Sequence, residues 1–278
     1  MMRHLLTFLA LVLGLAGPAL AQSPVADLTR SDITRGEVAR AALIPGWRQA
    51  DGSHVAGLLI DLAPGWKTYW RSPGDAGIPP RFDWAGSRNV AGLRTLWPTP
   101  KAMDQNGMTS IGYPGDVVIP LVIRPDSAGR PITLTGRMEL GVCKEVCVPA
   151  EVRFSASLTP GGARDPRLVA ALVDRPLTTR EARVGRVTCR IAPIKGGVAL
   201  TADIAMPSAG GREYVVVETA NPAIWVAEAQ TRRTGPVLTA RTEMQHVEGA
   251  PFALDRAGLR FTVLGSSHAV DIRGCVAG

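Results

Sequence analysis

The sequence lacks an apolar run long enough to cross a bilayer, which needs about 20 consecutive apolar residues. Its longest apolar run, Leu5 to Leu15, follows Arg3 and His4 and precedes the small-residue pattern Ala19-Leu20-Ala21. This order is typical of a secretory signal peptide, with cleavage expected before Gln22. We therefore expect a mature chain that is soluble outside the cytoplasm and has no membrane span.

Three further absences exclude other classes of protein. No cysteine follows the expected cleavage site, so nothing indicates a lipid anchor there. The 31 Lys and Arg residues exceed the 24 Asp and Glu residues but are scattered, which together with export argues against nucleic-acid binding. The mature chain has only three histidines, remote from the cysteines and without ligand spacing, which argues against zinc. They are His54, His246 and His268.

The remaining length is sufficient for two domains, each with its own core. We assign residues 1–21 to the signal peptide, 22–160 to a first domain, 161–178 to a linker and 179–278 to a second domain. Short apolar stretches between Gly- and Pro-rich turns predict antiparallel strands in the first domain, which has no long amphipathic helix. These strands are His54 to Leu62, Asp116 to Ile123, Ile132 to Val142 and Cys147 to Leu158.

The linker contains the only helix that the pattern predicts. Asp165 is a good N-cap, Pro166 suits a first helical turn, and Arg167 to Asp174 carries apolar residues at helical spacing before Pro176 ends it. The strand pattern then returns and predicts a second β-sandwich, so the fold class is all-β. Its strands are Val198 to Met206, Glu213 to Thr219, Ile224 to Ala227, Leu259 to Leu264 and Ala269 to Ile272.

The mature chain has four cysteines, in a compartment where disulfides persist. They are Cys143, Cys147, Cys189 and Cys275. Three pairings are possible, and sequence distance favours Cys143 with Cys147 and Cys189 with Cys275. Loop closure would stabilise the fold by roughly 2 kcal/mol for the short bridge but by roughly 4.6 kcal/mol for the long one. The long bridge is therefore the better structural disulfide.

The short pair lies in a predicted β-hairpin. On both of its strands the even-numbered positions are mostly apolar and the odd-numbered positions mostly polar, so the even positions should face the core. If the turn is centred on Glu145, Cys143 lies opposite Cys147 and Val142 opposite Val148. Both sulfurs are then expected on the outer face.

An accessible disulfide is what thiol exchange requires, because an incoming thiolate must reach a sulfur atom. The pair Cys143 and Cys147 is therefore a candidate redox-active dithiol. Two other interpretations stay open at this point. The bridge can be a static tie across the hairpin, or the thiolates can hold a soft ion such as Cu(I) together with Met103 or Met108.

Three segments, in this order along the chain, resemble the N-terminal periplasmic domain of the DsbD thiol-disulfide interchange proteins, especially their ScsB-like branch. They are Gly65 to Gly77 (GWKTYWRSPGDAG), Gly112 to Asp116 (GYPGD) and Val142 to Pro149 (VCKEVCVP). The resemblance covers about residues 36 to 158. It implies an immunoglobulin-like fold for the sandwich and no cofactor.

The resemblance also implies roles for individual residues. In that family the second cysteine forms the mixed disulfide, so Cys147 would exchange and Cys143 would resolve. A cap loop covers the family's pair, and Lys101 to Met108, with Met103 and Met108, occupies the corresponding place. Tyr69 and Tyr113 would flank the pair.

The partners that the family implies are a membrane-embedded thiol electron carrier of the DsbD or CcdA kind and periplasmic thioredoxin-fold or client proteins. DsbD-type proteins continue into a polytopic membrane domain and a thioredoxin-like domain, neither of which this sequence shows. We therefore expect the electrons to come from a separate membrane protein. The alternative function is a copper-handling or assembly module whose cysteines are ligands or a static bridge.

Overall fold

The computed structural model describes residues 38–75, 77–105 and 107–278. The expected signal peptide and its cleavage site before Gln22 lie outside these residues. The described chain is nearly all β and forms two immunoglobulin-like sandwiches joined by a short helix, as the sequence predicts. None of the described helices is long and apolar enough to cross a membrane.

Ten strands build the first sandwich within the described residues. They are β1 (Ala39–Arg48), β2 (His54–Leu62), β3 (Lys67–Tyr69), β4 (Arg81–Asp83), β5 (Gly92–Thr95), β6 (Lys101–Gln105), β7 (Met108–Tyr113), β8 (Val117–Arg124), β9 (Ile132–Cys143) and β10 (Cys147–Leu158). One sheet has the order β1-β2-β8-β5, and the other has the order β10-β9-β3-β7-β6, with β4 also paired to β9. The apolar faces of both sheets form one core. The hairpin β9–β10 contributes the longest pair of strands to this core.

The connecting helix α1 (Pro166–Val173) begins and ends one residue earlier than the sequence predicts. Asp165 is its N-cap as expected, because the Asp165 carboxylate accepts the backbone N–H of Arg167 at 2.8 Å. Leu168 is fully buried against Ile44 and Val55 on the outer side of the β1–β2–β8–β5 sheet. The helix is therefore fixed to the first sandwich.

Ten more strands build the second sandwich. They are β11 (Leu177–Thr178), β12 (Val187–Ile194), β13 (Gly197–Ala205), β14 (Tyr214–Glu218), β15 (Ile224–Val226), β16 (Gln230–Thr234), β17 (Val237–His246), β18 (Arg260–Leu264), β19 (Ala269–Arg273) and β20 (Val276–Ala277). Its sheets have the orders β11-β19-β18-β14 and β15-β17-β13-β12-β20, with β16 also paired to β17. A disulfide joins Cys189 in β12 to Cys275 just before β20. Cys189 has no exposed surface, so this bridge lies against the core.

The two sandwiches touch through apolar side chains. Leu264 and Ala269 of the second sandwich are buried in the same continuous cluster as the core of the first. Tyr214 and Val216 of β14 are partly buried against that cluster. This contact brings β14 towards the β3–β7 part of the first sandwich.

Leu168 gives a direct test of how much the helix contributes to stability. Leu168→Ala should lower the free energy of unfolding by about 2–5 kcal/mol, because it leaves a cavity between α1 and the sheet. Val173→Ala is the matched control, since Val173 is 76% exposed and its truncation should change stability by less than about 0.5 kcal/mol. Urea unfolding followed by tryptophan fluorescence measures both, and equal effects would contradict the packing.

Candidate disulfide exchange site

The candidate site is the disulfide between Cys143 and Cys147, at the turn between β9 and β10. The two cysteines are direct cross-strand partners, as are Val142 and Val148, which is the register that a turn centred on Glu145 predicts. Their Cα atoms are 4.1 Å apart. Val142 is fully buried in the core, so the cysteines, one position along, lie on the other face of the sheet.

Both sulfurs lie on the outer face of the sheet, as expected, but that face is not open to solvent at Cys143. Cys143 has no exposed surface, whereas Cys147 is partly exposed. The expectation followed the alternation of the strands, which identifies a face but does not show what covers it. Here the face is covered from above by a side chain of the adjacent strand β3.

Tyr69 supplies this cover. Lys67 of β3 pairs with Cys143 of β9, and Tyr69, two residues further along, projects from the same face of the sheet. Its hydroxyl oxygen lies 2.7 Å from Cys143 Sγ and 3.1 Å from Cys147 Sγ. The sulfurs of a disulfide carry no proton, so the hydroxyl is the donor. Tyr69 is 1% exposed.

Two glycines make room for the tyrosine ring. A Cβ at Gly141 of β9 would lie 2.9 Å from the ring and 2.7 Å from Ile78 Cβ. A Cβ at Gly77 would lie 2.9 Å from Tyr69 Cδ1 and 2.3 Å from Pro73 Cβ. The ring is thus held between β9 and the segment after β3. Sequence reasoning missed this segment as a cover, although Gly141 is a signal, since it breaks the row of side chains on the outer face.

The described residues of the segment expected to be the cap, 101–105 with 107 and 108, form β6, part of the turn and the start of β7 at the far edge of the same sheet. The Met103 side chain lies on the cysteine face, with Cε 3.0 Å from where a Cβ of Gly112 would stand. Met108 is 53% exposed. The β6–β7 hairpin contacts the site through Asp104 O, which accepts a hydrogen bond from the Lys67 ammonium at 3.5 Å. The hairpin therefore lies at the border of the site, farther from the cysteines than Tyr69.

Tyr113 does not flank the disulfide, contrary to expectation. It pairs with Thr68, which also pairs with the core residue Val142, so Tyr113 lies on the core face of β7. Its hydroxyl donates to Pro98 O at 2.9 Å, and burial raises the pKa of Tyr113 well above its usual value. The two tyrosines of the motifs thus occupy opposite faces of one sheet.

A groove lies beside the disulfide on the same outer face. It has a volume of about 610 Å³, and the apolar residues Ile78, Pro79, Leu140 and Pro149 contribute to its lining. Arg81, Glu139, Glu151 and Arg153 supply charges of both signs. Val146 and Val148, which flank Cys147 in the chain, are 70% and 36% exposed. The surface around the more accessible sulfur is thus partly apolar.

The remaining predicted residues lie elsewhere. Cys189 and Cys275 are bonded to each other in the second sandwich. Within the ranges that the structure describes, no three His, Cys, Asp or Glu side chains are grouped so as to hold a metal ion. The site is built from two sulfurs, one phenol and a surface that is partly apolar and carries charges of both signs.

Comparisons with known proteins agree with this geometry. The family model described as thiol:disulfide interchange protein DsbD, N-terminal, matches residues 39–159, which are the whole first sandwich. No curated protein matches the chain significantly. The crystal structure of the N-terminal periplasmic domain of ScsB from Proteus mirabilis superposes with a TM-score of 0.66 at 22% identity, covering 90% of this chain and 99% of that one.

The superposition spans 90% of the chain and therefore includes both sandwiches. At 22% identity it establishes the fold alone. The family match establishes the type of the first sandwich and contains both Cys143 and Cys147. Residues 39–159 therefore form a domain like the DsbD N-terminal domain, in a chain whose fold is similar to that of the ScsB periplasmic domain.

Proposed function

We propose that this chain is a periplasmic thiol-disulfide exchange protein that relays electrons between a membrane-embedded thiol carrier and periplasmic client proteins. The family match to thiol-disulfide interchange proteins supports the reaction type. The observation that carries the proposal is the difference between the two sulfurs. Cys147 is partly exposed, while Cys143 is fully buried with its Sγ 2.7 Å from the Tyr69 hydroxyl.

This difference assigns a role to each cysteine. A thiolate of the carrier attacks Cys147 Sγ, the Cys143–Cys147 bond breaks, and Cys143 leaves as a thiolate while a mixed disulfide forms. The second thiol of the carrier then releases Cys147, so the carrier is oxidised to a disulfide and the pair is reduced by two electrons. With a client the steps reverse. The Cys147 thiolate attacks the client disulfide, and Cys143 resolves the mixed disulfide.

Tyr69 acts on the leaving group in this scheme. Its hydroxyl is closer to Cys143 Sγ than to Cys147 Sγ, so it donates to the sulfur that acquires negative charge. A hydrogen bond to a charged acceptor is stronger than one to a neutral acceptor. The phenol therefore favours cleavage in the direction that places the thiolate on the buried cysteine.

Tyr69→Phe keeps the ring over the disulfide and removes only the hydroxyl. Reduction of the Cys143–Cys147 bond by dithiothreitol should slow by about 10-fold or more, because a hydrogen bond to a charged group contributes about 1.5–3 kcal/mol. Quenching with an alkylating reagent followed by mass spectrometry measures the rate. Tyr113→Phe is the matched control, since its hydroxyl binds Pro98 O on the core face and its loss should leave the rate unchanged. An unchanged rate in Tyr69→Phe would remove the phenol from the mechanism.

The two cysteines are distinguished by trapping. A mixed disulfide persists when the resolving thiol is absent. Cys143→Ala should therefore accumulate a covalent complex with the physiological partner, and Cys147→Ala should accumulate little. Non-reducing electrophoresis with mass spectrometry of the complex is the measurement.

Two outcomes of trapping would change the account. Accumulation by Cys147→Ala in place of Cys143→Ala reverses the two roles. If neither variant forms a complex with a carrier or a client, the pair is a static bridge or a ligand pair, and the exchange function is wrong. Cys189→Ala with Cys275→Ala in the Cys143→Ala background controls for complexes formed through the second disulfide.

A further inference from the structure

The segment that follows Tyr69 is tied to the second sandwich by an ion pair. Arg71, two residues after Tyr69, donates from Nε to Glu218 Oε1 at 2.9 Å and from a terminal guanidinium nitrogen to Glu218 Oε2 at 2.8 Å. Glu218 is the last residue of β14 in the second sandwich. The Arg71 guanidinium also lies 3.7 Å above the ring of Trp70, which is fully buried in the first core. The pair thus connects β14 to the residues adjoining Tyr69.

A second tie lies four residues further along. The backbone N–H of Glu228 in the second sandwich donates to Asp75 Oδ2 at 3.3 Å. Between the two ties, Ser72 and Gly74 line a small cavity whose opposite wall is β14 and the loop after β15. The cover segment, residues 71–75 with 77 and 78, is therefore held at two points by the second sandwich, and its Gly77 lies close to the ring of Tyr69.

The negative charge of Glu218 stabilises the Arg71 guanidinium, which is partly buried and near other charges. Burial lowers the pKa of Arg71, and the hydrogen bonds and negative charge of Glu218 oppose this change. Arg260 lies opposite Glu218 in the β14–β18 register and is itself bonded to Asp271. Neutralising Glu218 would therefore leave the partly buried Arg71 guanidinium without its carboxylate partner and close to a second guanidinium.

We infer that the second sandwich holds the cover segment closed over Tyr69 and thereby sets how often a thiol can reach the Cys143–Cys147 disulfide. The inference deepens the proposed exchange function and rests on it for its biological meaning. Cys147 is only partly exposed and its Sγ lies 3.1 Å from the Tyr69 hydroxyl, so full access for an attacking thiolate requires local opening, and when closing is fast the rate follows the population of the open state. Loss of either tie raises that population. Arg71, Asp75 and Glu218 are then positioning residues, since none touches a sulfur atom in the described contacts.

The test measures reduction of the Cys143–Cys147 bond by dithiothreitol in the full mature chain. One dithiothreitol thiolate attacks Cys147 Sγ and displaces Cys143, and the second closes the oxidised dithiothreitol ring and releases Cys147. Glu218→Gln keeps the size of the side chain, and Asp75→Ala changes an exposed residue. Each substitution should speed reduction by about 5-fold, which is the effect expected when one weak to moderate stabilising contact is lost. Glu181→Gln is the matched control, because Glu181 forms a comparable bidentate pair with Arg175 away from the cover segment.

A thermal melt of each variant separates coupling from general destabilisation. The inference requires faster reduction in Glu218→Gln and Asp75→Ala and a wild-type rate in Glu181→Gln. Wild-type reduction rates in the first two variants, whatever their melting temperatures, would overturn it. If Glu218→Gln does not fold, Asp75→Ala alone decides. Because the probe is a small dithiol, failure to trap a protein partner would remove the exchange function while leaving this result intact.

Discussion

The contact between the Tyr69 hydroxyl and the two sulfurs is the constraint on which the geometry of the site depends. It is possible because β3 pairs with β9 in the register that sets Lys67 beside Cys143, which brings Tyr69 over Gly141 on the same face. A side chain at position 141 would occupy the volume of the ring, and one at position 77 would displace the segment that lies over it. The arrangement of the site thus depends on the strand order β10-β9-β3-β7, the two glycines and Tyr69 together. In this arrangement one sulfur is buried and the other is accessible.

The second sandwich stabilises the segment that completes this arrangement. Apolar contacts through Leu264 and Ala269 bring β14 against the first sandwich, and the Arg71–Glu218 pair and the Asp75 contact lie where this interface meets the cover segment. The core disulfide Cys189–Cys275 ties β12 to the chain just before β20 and lies apart from the candidate exchange site. One chain thus carries two disulfides in different surroundings. One lies against a core, and the other lies under a phenol at a hairpin turn.

Much of the site follows from local sequence pattern. The alternation along residues 132–158 predicts the faces of β9 and β10, the turn at Glu145 predicts the pairing of Cys143 with Cys147, and β10 has the predicted bounds. Asp165 and Pro166 likewise predict the helix to within one residue at each end, because capping is a local interaction. These features depend on neighbours in the chain or on a two-strand register.

The features that sequence did not predict depend on distant pairings. The short strands β3 to β7 lie among glycines and prolines that indicate turns, so their register, which places Tyr69 and Tyr113 on opposite faces, is visible only when β3 has paired with β9 and β7. The burial of Cys143 comes from a side chain 74 residues away, and the tie from Arg71 to Glu218 spans 147 residues. The hydrophobic periodicity of the sequence carries no information about such long-range contacts, although Gly141 indicates a position where a ring packs against the strand.

The most direct measurement of the central claim is an equilibrium redox titration that follows both disulfides by mass spectrometry after alkylation. The account predicts a reversible two-electron couple for Cys143 and Cys147 within the range of thioredoxin-like partners, about −270 to −120 mV, while Cys189 and Cys275 stay oxidised until below about −300 mV. If Cys143 and Cys147 are reduced only below about −300 mV, together with Cys189 and Cys275, the hairpin disulfide is a structural bridge and the exchange function is contradicted.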